Sequence, residues 1–299
     1  MASVAFVKTE KRDDGVIRAL ELLEVASLSQ KTVFLKANFN SSDPPPGSTH
    51  NQVFRALINK VWDLGAAKIT VGDRSGMGDT RRVMEKKGIL DMSRELGFDV
   101  VVLDDLPRSG WQKIDAPDTH WSRGFYLPKV CVEADAVVQT CCLKTHRFGG
   151  HFTMSLKNSV GLVARSVEGD SHDYMRELHT SPYQRLMIAE INAFYKPSLV
   201  VMDGVEAFVD GGPDRGTKKS PNVLVAGYDR VAIDAVGVAI LRYFGTTPEV
   251  SRGAIFEQDQ IARAAELGVG VDSPEKIEIL PADQSSKAYA DQISSILLA

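Results

Sequence analysis

At 299 residues the chain is long enough to bury a substantial core, and its length fits one large or two ordinary domains. Hydrophobic residues make up 43% and charged residues 25%, a balance that excludes a disordered, collagen-like or disulfide-scaffold chain. The formal charge of −4 argues against nucleic acid or an anionic membrane surface as a partner, since both require a basic face.

The three cysteines, Cys131, Cys141 and Cys142, are too few and too oddly spaced for a secreted disulfide framework, so a reducing cytoplasm is the expected location. No CxxC occurs, which leaves no visible zinc ribbon and no intrinsic iron–sulfur cluster. Near the N-terminus the apolar run Val4–Val7 is followed at once by charges, unlike a signal peptide. No window approaches the roughly 18 apolar residues of a membrane helix.

In chain order, short apolar runs alternate with helical patterns, the signature of a largely parallel sheet covered by helices. Val4–Val7 reads as a strand, followed by a helix from about Asp14 and a second strand at Thr32–Lys36. Asn51–Leu64 places Val53, Leu57 and Val61 on one helical face, and Gly65 supplies the stop. Lys68–Gly72, Asp79–Leu96 and Phe98–Leu103 then read as strand, helix and strand, completing a Rossmann-like half. Two long irregular stretches follow strands: Phe39–Thr49, with three consecutive prolines, and Asp104–Pro128. Loops of that length in compact domains are usually lids, binding loops or disordered segments.

The pattern resumes with a strand at Ala136–Thr140 and a helix after Gly149, and then a third polar stretch, Arg165–Pro182, carrying His172 and His179. Strands at Ser198–Met202 and Asn222–Ala226, helices at Asp229–Phe244 and Ala254–Leu267, a strand at Lys276–Leu280 and a last helix complete the chain. The whole reads as a single α/β domain over 1–299, mostly parallel and Rossmann-like, with two lobes as the alternative.

Ligands of open α/β sheets bind outside the carboxyl ends of the strands. The residues just past the expected strands are Lys36 and Asn38, Asp73, then Lys144, Thr145 and His146, and Asp203. The plainer explanation, that polar residues end strands because loops are polar, competes at each single position. Lys157-Asn158 is harder to dismiss, because it interrupts an apolar and small-residue run at 151–163. A lysine there needs a partner or an anionic ligand, unless its stem carries the ammonium out to water. Asp234 sits five residues beyond the expected N-cap Asp229 in a helix apolar on nearly every side. A buried carboxylate there either pairs with Lys144 or Lys157, or binds a ligand or metal. His146 with Asp203 or Asp234 is the one constellation that could hold a metal, since there is no HExxH and no Cys/His quartet. The glycines of Arg74–Asp79 read as a turn before a helix capped by Asp79 or Thr80, and Cys141-Cys142 as ordinary buried thiols.

Taken together, Lys36-Ala-Asn38, Gly72-Asp73, Leu127-Pro128-Lys129, Leu143-Lys144-Thr145-His146, Ser155-Leu-Lys157-Asn158 with Gly161, Met202-Asp203-Gly204 and Asp229 with Asp234-Ala235 resemble the domain of unknown function 362 family. The resemblance covers about Lys36 to Phe244. It implies no reaction of its own. Some members carry appended ferredoxin-like cysteine motifs; this chain lacks them, so an iron–sulfur role would require a redox partner.

Two functional classes follow. In the first, the protein is an enzyme for a small anionic metabolite, a carboxylate or phosphate. Lys36, Lys144 and Lys157 hold the anion, Asn38 and Asn158 orient it beside Asp73, and His146 moves a proton. Asp203 and Asp234 bind a divalent cation or set the pKa values of the lysines and histidine. In the second, the protein is a non-catalytic accessory to an iron–sulfur partner, an expectation that rests on the resemblance alone. A third possibility is that the buried polar residues form only an internal salt-bridge network.

Overall fold

A computed structural model describes residues Met1–Ala299. Its first strand shows how the sequence builds the core. In β1 (Ala2–Lys8), Val4 and Phe6 face one side of the sheet and Ala5 and Val7 the other, all fully buried. A strand covered on both faces carries a continuous apolar run instead of an alternating one. The remaining strands are β2 (Thr32–Lys36), β3 (Lys68–Asp73), β4 (Asp99–Val102), β5 (Trp111–Ile114), β6 (Phe125–Pro128), β7 (Ala136–His146), β8 (His151–Thr153), β9 (Leu199–Phe208), β10 (Lys218–Lys219), β11 (Val223–Gly227) and β12 (Ile277–Pro281).

The main sheet runs β12-β1-β11-β9-β7-β2-β3-β4, with β8 paired to β7 and β10 to β9. Along that path only the pairings of β11, with β1 and with β9, are antiparallel; every other neighbour is parallel. The fold is therefore α/β with a mostly parallel sheet, as expected. β5 and β6 form a separate antiparallel hairpin.

Helices cover both faces. On one lie α1 (Arg12–Leu22), α2 (Asn51–Asp63), α3 (Thr80–Lys86) and α4 (Ile89–Leu96), packed on Ala5, Val7, Val33 and Leu35. The chain then adds α5 (Lys129–Val132), α6 (Ser155–Asn158), α7 (Tyr174–Thr180), α8 (Gln184–Ile191), α9 (Arg230–Tyr243), α10 (Pro248–Ser251), α11 (Asp259–Glu266) and α12 (Gln284–Leu297). Of these, α9, α11 and α12 pack on Val4, Phe6 and Val225, while α7 and α8 share a third core with Phe34 and the hairpin. Helix α9 is buried from Arg230 to Leu241, which accounts for its lack of a polar face.

Several expectations change. The first strand is not the neighbour of the second: β11, β9 and β7 lie between β1 and β2. The Rossmann-like half starts instead at β2, runs outward through β3 to β4, and returns to β7 on the other side of β2. The helix expected over Asp79–Leu96 breaks into α3 and α4 at Gly88, whose φ of 70° is left-handed. The stretch Asp104–Pro128 contains the β5–β6 hairpin, and Arg165–Pro182 contains α7. No helix follows Gly149 directly; β8 and the four-residue α6 occupy that segment. β7 continues to His146 and β9 to Phe208, so Lys144, His146 and Asp203 lie within strands and not after them. No helix is long and apolar enough to cross a membrane.

Candidate functional site

The sheet reverses its build direction between β2 and β7, and such switch points open a crevice at the strand carboxyl ends. A cleft of about 620 Å³ lies there. Its lining includes Lys36 and Asn38 from the end of β2, Asp73 from β3, Lys144 and His146 from β7, and Lys157 and Asn158 from α6. The seven residues expected to carry binding and catalysis therefore meet in one cavity. Three further cations, Arg74, Arg165 and Arg176, line it as well, giving six lysines and arginines against two carboxylates, Asp73 and Asp173.

The cations differ in how their charge is met. Lys36 Nζ pairs with Asp73 Oδ1 at 2.8 Å and donates to Asn158 Oδ1 at 3.1 Å. Asp73 also accepts from the backbone N–H groups of Phe39 and Arg74, each at 2.7 Å. Lys144, with no exposed surface, donates to the carbonyls of Gly47 at 2.6 Å and Pro213 at 3.2 Å, so it staples two loops, and burial lowers its pKa. Arg74 is likewise held by carbonyls, those of Val160 and Val163, each at 2.9 Å.

Lys157 is different. It is 7% exposed, lines the cleft, and its ammonium has neither a hydrogen bond nor an ion pair within the protein. Burial, then the charges of Lys144 and Arg74, push its pKa down to about 8. The guanidinium groups of Arg165 and Arg176 at the rim are also without partners in the protein, and the nearby Asp173 accepts from the Arg176 backbone at 2.8 Å as the N-cap of α7. Three buried polar atoms without a protein partner, Asn38 Oδ1, Asn40 Nδ2 and Thr153 Oγ1, belong to residues lining the same cavity. Buried polar atoms are nearly always satisfied, so these three are polar groups beside the cleft whose hydrogen-bonding capacity the protein leaves unused.

His146 Nδ1 accepts from the Gly150 N–H at 3.3 Å, which leaves Nε2 to carry the proton of the neutral ring. Burial, then the charges of Lys157 and Lys144, hold its pKa well below the ordinary value, so the ring is neutral near pH 7. A side chain at Gly150 would bring a Cβ within 2.8 Å of both His146 Nδ1 and Lys157 Cε, so the missing side chain lets the two functional groups stand together.

Asp203 and Asp234 do not line the cleft. Asp203 pairs with Arg12 Nε at 2.8 Å inside the core. Asp234 accepts from the Ser155 N–H at 2.8 Å, the Ser155 hydroxyl at 2.5 Å and the Leu156 N–H at 3.0 Å, fastening the start of α6 to α9. Burial pushes its pKa up to about 6 against the pull of those bonds. The pairing of Asp234 with Lys144 or Lys157 is thus not formed, since backbone donors take its oxygens first. No group of three or more His, Cys, Asp or Glu side chains is placed to hold a metal ion. Asn158 orients Lys36, its amide donating to the Thr140 carbonyl at 3.0 Å, so its polar ends are already engaged. The cysteines are buried, and burial raises the thiols of Cys131 and Cys142 to about 12 and about 11.

A family model described as "Domain of unknown function (DUF362)" matches residues 33–239. The chain belongs to the DUF362 family. Every residue lining the cleft lies inside the matched span of this DUF362 protein. A thylakoid-associated protein of Synechocystis sp. is 28% identical over 212 residues, covering 70% of this chain and 63% of the relative. The match therefore spans less than two thirds of that relative. Among solved structures, the lactate racemase apoprotein from Thermoanaerobacterium thermosaccharolyticum aligns with a TM-score of 0.40 at 18% identity, covering 68% of this chain and 50% of that one.

Arg74, Asn40, Arg165, Arg176 and His179 line the cleft but escaped the reading by strand ends. The signal for the last three was the length of the polar stretch Arg165–Pro182, since long irregular segments in compact domains tend to form binding walls.

Proposed function

We propose that this DUF362 protein is an enzyme for a small anionic metabolite, a carboxylate or phosphate, bound at the switch-point cleft. The observation that carries the proposal is Lys157, a lysine buried in its stem whose ammonium opens on the cleft with no partner in the protein, in a cavity where cations outnumber carboxylates. An uncompensated buried charge costs several kcal/mol, and folds keep one where a ligand completes the pair. Lys157, with Arg165 and Arg176 at the rim, holds the anion, and Asn38, Asn40 and Thr153 line the polar wall beside it. Neutral His146 presents Nε2–H as a donor. Lys157, at about 8, can take up and return a proton near neutral pH. Lys144 and the Lys36–Asp73 pair set the field and the geometry.

The test is calorimetric titration and thermal shift with inorganic phosphate and with succinate. At a hundredfold excess over Kd, a specific ligand stabilises by about 2.7 kcal/mol. Lys157→Met should abolish the shift. Because the ammonium binds the anion and is lost as pH rises through about 8, succinate affinity should be flat from pH 7 to 8 and fall about tenfold per pH unit beyond. If Lys157→Met binds these anions as well as the wild type, or if no carboxylate, phosphate or phosphonate, compact or apolar-substituted, gives a shift, the proposal fails.

A further inference from the structure

Phe148 is 51% exposed and Met77 is 44% exposed, and both line the cavity that holds Lys157 and His146. Single exposed apolar side chains are ordinary on a protein surface. Two of them on the wall of one cationic cavity, contributed by the loop after β3 and the β7–β8 turn, are less easily set aside. Val160 and Met175 line the same cavity, so its wall has an apolar component beside the cationic one.

Phe148 is held in position although half of it faces water. The Arg147 guanidinium carbon lies 4.3 Å from the ring centroid. Arg147 is itself fixed by Asp214 at 2.7 Å and by the Gly212 carbonyl at 2.8 Å. The His146 ring meets the phenyl edge to face, with centroids 5.7 Å apart. A stacked cation and an edge-on ring restrict the aromatic side chain before any ligand arrives, so the entropy of ordering it is already met. His146 also stands beside Lys157 across Gly150, so the anion seat and the phenyl are linked through one imidazole, a span that a small molecule can bridge. Small-molecule sites commonly combine an apolar wall with a few fixed polar groups.

Resting on the anion-binding reading, we propose that the ligand is amphipathic: its anionic group sits at Lys157 and an aromatic or bulky apolar body lies against Phe148 and Met77. The class is that of aryl or branched-alkyl carboxylates and phosphates, in preference to compact anions such as acetate or inorganic phosphate.

The experiment compares methylphosphonate with phenylphosphonate and 2-phenylethylphosphonate by calorimetric titration at pH 7. The wild type should bind the better of the two aryl probes at least tenfold more tightly than methylphosphonate. Phe148→Ala with Met77→Ala, both at exposed positions and so compatible with folding, should reduce that ratio to within about twofold. Equal affinities for all three probes in the wild type, or a tenfold ratio retained in the double variant, would overturn the amphipathic ligand and leave the anion site standing. Failure of all three probes to bind would overturn both readings.

Discussion

Replacing Lys157 with methionine should make the protein more stable at pH 7 while removing anion binding. Methionine keeps the length and much of the volume of the lysine stem and removes only the charge. In the folded protein the ammonium has no hydrogen-bond or carboxylate partner, so no native interaction is lost with it. Its pKa is lowered from 10.5 to about 8, and at about 1.4 kcal/mol per pH unit this corresponds to about 3 kcal/mol of strain on the charged form. Contact between the ammonium and water in the cleft reduces that figure, so the expected gain is about 1–3 kcal/mol by urea denaturation. The sign with pH follows from proton binding. Between about 8 and 10.5 the unfolded chain keeps the lysine proton that the folded chain has shed, so wild-type stability rises with pH relative to the variant. The gap between the two proteins should therefore be widest below pH 8 and close by about pH 10.5. A variant destabilised by more than about 1 kcal/mol at pH 7 would refute the reasoning, since it would show that the ammonium is paired inside the fold.

Asp73→Asn should cost about 3–5 kcal/mol in the same assay, because Lys36 would then be a buried charge facing a neutral amide. Combining it with Lys36→Met should recover most of the loss, and simple additivity of the two losses would contradict a direct ion pair. His146→Gln should flatten part of the acid side of the stability profile. The folded ring stays neutral while the unfolded ring takes a proton below about pH 6.5, so wild-type stability falls as pH drops through that point, by at most about 1.4 kcal/mol per pH unit. Urea denaturation from pH 7.5 to 5 checks this, and identical slopes in the two proteins would show that His146 binds its proton in the fold as readily as in the unfolded chain.

Much of the fold was legible from local pattern. Strands at Thr32–Lys36 and Lys68–Asp73 show as short apolar runs, the helix from Asn51 shows plain apolar periodicity, and Asp79 and Asp229 cap helices as their side chains suggest. Strand length was less legible, because a strand buried on both faces has no alternation to mark where it ends. β7 is buried from Ala136 to His146, polar residues included, so Lys144 and His146 looked like residues beyond a strand. Their nearness to the site survived that error, since the far half of β7 projects past its pairing with β2, which ends at Gln139. The Asp104–Pro128 hairpin was missed because its pairing joins residues more than ten apart through an irregular turn.

The sequence by itself determined that this is a mostly parallel α/β protein, and which lysines, asparagines and histidine had no comfortable place in an apolar pattern. It did so because burial and periodicity are local properties, readable one element at a time. Only the tertiary structure decided which of those residues share a cavity and which of them already have partners. Asp234 and Lys157 looked alike along the chain, each a charge in an apolar run. The fold turns one toward the N–H groups of Ser155 and Leu156 and the other into the cleft with no partner. The net charge of −4 likewise gave no hint of six cations around one cleft. Composition sums over the surface, whereas the strand order of the sheet chooses which charges meet.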